Sequence, residues 1–164
     1  MTAGEAIEHL VGMQAQSPLA PYVGLWTRLR DFGTEDLASL IQQRKAVRGT
    51  SLRKTLHLHT AADYLAIRPL LQGALDAEAR RNSTFGKELV DGLDLDAVAA
   101  AAREAFDERP HTGPELRKLL GARWPDRDPL ALWHVVACVL PLVQVPPRGL
   151  WGHGGEVTLT TVEG

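Results

Sequence analysis

Residues 11 to 18 read VGMQAQSP and set two glutamines, Gln14 and Gln16, two positions apart just ahead of a proline. A neutral amide cannot take a full proton near pH 7, but its carbonyl oxygen accepts a hydrogen bond, and its dipole steadies a nearby developing positive charge. On an intact helix, residues two apart point about 200° away from each other. On an extended segment they share a side. The residue before a proline avoids the α region, so a helix running through this stretch is expected to loosen over residues 15 to 17. The two amides are then expected to bracket one small guest.

Other residue types capable of chemistry are spaced along the chain. His57 and His59 alternate with Leu56 and Leu58 in TLHLHT, which on a strand puts both imidazoles on one face. Such a pair can ligate zinc, but a site needs a third ligand and no suitable one stands nearby, so no metal is expected. The pair is read instead as lying beside the glutamines or facing DNA, with an ordinary packed histidine as the alternative. Arg48, Arg53 and Lys54 lie in or next to the same stretch, where a β-hairpin would offer phosphate contacts. Trp151 sits in the glycine-rich PRGLWGHGG, where an indole is hard to bury and could stack on DNA. Trp26, Phe32 and Trp133 fall at helical spacings within apolar stripes and are read as core.

The elements that must hold these residues are legible from caps and periods. Thr2 opens a helix with Ala3, Ile7, Leu10 and Val11 at helical spacing. Ser17 and Pro18 open a second that runs toward Gly33, and Thr34 opens a third with acids in its first turn. The period then changes to two around Val47 to Ser51 and Lys54 to Thr60, which predicts a hairpin. Three helices followed by a hairpin is the order of a winged helix. A long helix is predicted from Ala61 to about Arg81, and the turn-rich NSTFGKELVDGLD is the linker candidate. The order then repeats: a helix over Leu95 to Glu108, a short one from Thr112 stopped by Gly121, an apolar one from Asp128, and two strand-like pieces, LVQVP and EVTLTT, forming a second wing. The expected fold is mainly α with short β-hairpins, arranged as tandem winged helices over residues 1–84 and 85–164.

Composition narrows the class. The 164 residues are 45% hydrophobic and 23% charged, as in ordinary globular proteins. The longest apolar run, ALWHVVACVLPLVQV, is broken by His134 and Pro141 and is too short to span a bilayer. MTAGEAIEHL lacks the basic start and apolar stretch of a signal peptide, and the single Cys138 has no internal partner, so a reducing cytoplasm is expected. The net charge of -2 is unevenly spread: residues 28 to 87 hold eleven Arg and Lys against six Asp and Glu, and residues 88 to 164 hold seven against twelve. The first of these segments, with a balance of +5, is the candidate for phosphate contact.

LVGMQAQSPLAPYVGLWTRLRDF, followed by RGTSLRKTLHLHTAADYLAIRPLL, resembles the AlkZ-type winged-helix DNA glycosylases, and the resemblance extends to GLWGHGGEVTLTTVEG. The hallmark of that family is a Gln-apolar-Gln catalytic motif, matched here by Gln14-Ala15-Gln16. A sister branch carries aspartate at the second position, so Gln16 points to the AlkZ side. The resemblance implies tandem winged helices, with further C-terminal units in family members, and removal of bulky alkylated purines, including those in interstrand crosslinks. It implies Gln14 and Gln16 as catalytic residues, double-stranded DNA as partner, a monomer and no cofactor. No lysine nucleophile stands near the motif, which favours a monofunctional mechanism. Two other readings stay open from the residues themselves: a non-catalytic winged-helix regulator, and a protein-docking module.

Overall fold

The computed structural model describes residues 1–81 and 89–162. They form two compact units, one of residues 1–70 and 143–157, the other of residues 71–81, 89–142 and 158–162. The expected boundary near residue 84, and most of the linker candidate, lie outside the described residues. The units fall at other bounds than 1–84 and 85–164, because the chain returns to the first unit at Val143.

In the first unit, helix α1 (Ala3–His9) starts at Thr2, as its cap predicts. The Thr2 hydroxyl accepts the Glu5 amide (3.3 Å) and the Glu5 carboxylate accepts the Thr2 amide (2.7 Å). Two amides that the first turn cannot satisfy are thereby paired. Ala3, Ala6 and Ile7 form its buried face. After Leu10 the chain turns sharply: Val11 adopts φ 61°, a left-handed conformation that costs a β-branched residue energy. Strand β1 (Met13–Gln14) follows, then α2 (Ala20–Trp26) and α3 (Thr34–Gln42). Helix α2 is shorter than the expected run to Gly33.

Strands β2 (Ala46–Thr50) and β3 (Leu56–Thr60) make the predicted hairpin, closed by a 3-10 turn over Leu52–Lys54 in which Arg53 and Lys54 both have positive φ. Strand β1 pairs with the free edge of β3, Met13 opposite Leu58 and Gln14 opposite His57. Strand β5 (Leu142–Gln144) pairs with the free edge of β2, Gly49 opposite Val143 and Arg48 opposite Gln144. Beneath this sheet Ile7, Tyr22, Leu25, Leu37 and Leu58 pack as one apolar cluster.

Helix α4 (Ala61–Arg81) begins where expected, with the Thr60 hydroxyl accepting the Asp63 amide at 3.1 Å. In the second unit α5 (Leu95–Glu108) is capped by Asp94, which accepts the Asp96 and Ala97 amides, both at 3.0 Å. Strand β4 (His111–Thr112) leads into α6 (Gly113–Arg123), which continues two residues past the Gly121 expected to stop it. Helix α7 (Pro129–Val139) is capped by Asp128. Its apolar length, with Val98, Phe106, Leu116 and Leu120, makes the second core. Strand β6 (Thr158–Thr161) pairs antiparallel with β4. The two pieces expected to close a second wing are strands: β5 gives Val143 and Gln144 to β2, β6 pairs with β4, and within the second unit the Val162 amide after β6 donates to the Pro141 carbonyl before β5 (3.2 Å). Helices and antiparallel strands are mixed in both units. No helix among the described residues is long and apolar enough to cross a membrane.

Candidate active site

The glutamine pair lies on and just beyond β1. Burial alternates from Met13 to Gln16: Met13 and Ala15 are buried, Gln14 and Gln16 exposed. This is the pattern of an extended segment with one face on the core. The Ala15 amide donates to the Leu56 carbonyl (2.8 Å), carrying the pairing one residue past the strand. The Gln16 side chain accepts the Leu56 amide through Oε1 (3.1 Å), which fixes its carbonyl and leaves its NH₂ as donor.

The turn before the motif is locked by His59. Its Nδ1 lies 2.7 Å from the Val11 carbonyl, so this nitrogen carries the proton, and its Nε2 accepts the Ser51 hydroxyl at 2.7 Å. The ring is fully buried. Burial pushes its pKa down, against the opposing pull of the Val11 carbonyl. With both nitrogens engaged, neither is available to a metal. Gly12 fits here because it has no side chain: a Cβ would lie 2.4 Å from the His59 ring. His57, opposite Gln14, is also buried and donates from Nδ1 to the Thr55 carbonyl (3.0 Å). The two rings lie 5.8 Å apart. Both histidines are thus beside the motif, and neither faces solvent where DNA would meet it.

Of the residues expected to bind DNA, Arg53 is exposed and Lys54 partly exposed in the tight β2–β3 turn. Arg48 is not at the surface. It is only 3% exposed, with Nη2 donating to the Ala15 carbonyl (2.7 Å) and Nη1 to Gln144 Oε1 (2.7 Å). Phosphate contact is closed to it because the strand alternation turns it inward. Burial, with Arg148 adding repulsion, pushes its pKa down to about 10, so it stays charged near neutrality.

Trp151 is 47% exposed and lies tilted on Tyr22, with ring centroids 5.3 Å apart. Its amide donates to the Tyr22 hydroxyl (3.1 Å), which donates to the Gly149 carbonyl (3.0 Å). Trp26, expected in the core, is 68% exposed. It lies past the buried face of α2 and, with Tyr22, Val23, Phe32, Thr34 and Trp151, lines an apolar cavity of about 290 Å³. Phe32 and Trp133 are half-buried against their cores as expected.

Sequence reasoning missed β1, the inward Arg48 and the Tyr22 bridge. The signal for Arg48 was present: in AVRGT it shares strand parity with Ala46, on the face that must be buried.

The chain is similar to the solved structure of Streptomyces sahachiroi DNA glycosylase AlkZ, with a TM-score of 0.77 at 19% sequence identity, over 99% of this chain and 44% of that one. The likeness is one of fold, and the chain spans less than half the length of that protein. No curated protein sequence matches. The family model described as DNA glycosylase AlkZ-like matches residues 7–164, nearly the full length, and the chain belongs to that family.

Proposed function

We propose that this protein hydrolyses the N-glycosidic bond of bulky alkylated purines, N7-alkylguanine first among them, in double-stranded DNA. An N7-alkylated purine already carries positive charge and departs as a neutral base without a strong general acid. The species that needs help is the sugar cation left behind. Gln14 accepts a hydrogen bond from one water, helps hold it against the sugar and turns its carbonyl dipole toward the growing charge, while Gln16, its Oε1 held in place by the Leu56 amide, meets the same water with the second lone pair of that oxygen. The base leaves with the bonding pair, the water oxygen bonds the anomeric carbon, and its proton passes to solvent. No amine takes part, so the sugar-phosphate backbone stays intact.

The observation that carries this reading is the alternation over residues 13 to 16, which leaves both amides exposed on one side of an extended segment. Family membership supports the glycosylase class. Arg53 and Lys54 in the β2–β3 turn are assigned to backbone phosphates and Trp151 to stacking on an unpaired base. The helix–hairpin order supports reading the β2–β3 turn as the wing of a winged helix. A duplex carrying a single 7-methylguanine tests the reading. Release of free 7-methylguanine, leaving a strand that breaks only after alkali, is expected. Direct strand cleavage, or recovery of the intact modified duplex, contradicts it.

A further inference from the structure

A buried guanidinium held by neutral oxygens alone is a costly arrangement, because nothing offsets its charge. The hydrogen-bond partners of Arg48 are the Ala15 carbonyl and the Gln144 amide oxygen, its Nε has no partner among the described residues, and Arg148 adds repulsion that the Tyr22 hydroxyl opposes. A β-hairpin does not need such a residue. The geometry explains what it does instead. Ala15 is the residue between the two glutamines, and its carbonyl is pulled inward by Nη2 at 2.7 Å. Its amide is already used on the Leu56 carbonyl. With both polar groups of Ala15 fixed, the peptide planes on either side of it cannot rotate, and the directions of Gln14 and Gln16 are set together. The other arm of the fork is anchored through Nη1 to Gln144 on β5. Gly149 leaves room for the guanidinium, since a Cβ there would lie 3.1 Å from Nη1.

We propose that Arg48 is a positioning residue, a buried two-armed clamp that holds Ala15 so that Gln14 and Gln16 face the same water. This rests on the glycosylase reading for its rate consequence, but the clamp itself can be observed without catalysis.

The experiment compares the chain with its Arg48→Met, Arg48→Lys and Gln144→Met variants. It reads single-turnover release of 7-methylguanine, duplex affinity and hydrogen exchange of the Ala15 amide. Arg48→Met keeps the apolar stem and loses the fork. It should release base at least 10-fold more slowly, with duplex Kd changed less than about 2-fold, and should exchange Ala15 faster. Arg48→Lys, which can reach one acceptor but not both, should recover part of the rate. If Arg48→Met does not fold, Gln144→Met carries the test, with a fall of about 3-fold or more expected at unchanged Kd. A folded Arg48→Met, or failing that Gln144→Met, with wild-type rate and wild-type Ala15 exchange overturns the clamp. So does a loss that lies wholly in Kd, which would make Arg48 a phosphate contact. A wild-type chain that releases no base while Ala15 exchange still responds to Arg48→Met overturns the glycosylase reading and leaves the clamp standing.

Discussion

Gly12 shows how closely the motif is supported at the scale of single residues. It lies between the strained Val11 and β1, with the His59 ring where its side chain would be. Gly12→Ala forces a Cβ to within 2.4 Å of that ring, so either His59 gives up its bonds to Val11 and Ser51 or the turn moves. The expected loss is about 1–3 kcal/mol of stability, as for overpacking elsewhere, read as a lower urea midpoint with an unchanged slope. The Gln-x-Gln pair and its expected extended form could be read from the letters, because proline imposes a local rule on the residue before it. Arg48 could not. A charged residue in a strand reads as solvent-facing unless acceptors wait inside, and its acceptors lie 33 and 96 positions away in sequence. Tyr22 was unreadable for the same reason, since its hydroxyl serves a loop 127 residues on.

At the scale of elements, what local chemistry determines was legible and what pairing determines was not. Thr2 and Asp128 announce their helices, and α4 and α5 span the expected residues. Strands β1 and β4 are two residues long and owe their conformation to β3 and β6 rather than to any period of their own. Gly121 did not end α6, because a helical glycine costs only about 1 kcal/mol and packing overrides it. The α6 cap carries a pH prediction. The Arg109 guanidinium at 2.8 Å, then the Thr112 amide and hydroxyl, hold the Glu115 carboxyl down to about 2. A carboxyl whose folded pKa is depressed stabilises the fold above its ordinary value of 4.5, and that stabilisation is lost as pH falls from 4.5 toward 2. Thermal unfolding should show wild type more stable than Glu115→Gln at pH 6, with the gap closing by pH 2. A gap of constant size would contradict the assignment. The group is exposed, so the effect should shrink in high salt.

At the scale of the molecule, the division of charge argues for where DNA lies. The +5 balance of residues 28 to 87 includes Arg48, which is inward, so under the proposed function the phosphate contacts are assigned to exposed cations such as Arg53. Duplex affinity should fall as salt rises, with Arg53→Ala lowering the slope of log Kd against log salt by about 1 and weakening binding alike for all sequences. Arg48→Met should leave that slope unchanged. The partition into units was not legible, since nothing in residues 143–157 marks them as belonging with residues 1–70. That membership comes from β5 pairing with β2 and from the Tyr22 bridge to Gly149 and Trp151.

The central claim is that two neutral amides on one side of an extended segment direct a water onto a sugar losing its base. It is tested most directly by single-turnover release of 7-methylguanine from a duplex by the wild-type chain and by the Gln14→Ala, Gln16→Ala double variant. Release by the double variant should fall at least about 10²-fold, with its fold and duplex affinity retained. Release at the wild-type rate by the folded double variant would contradict it.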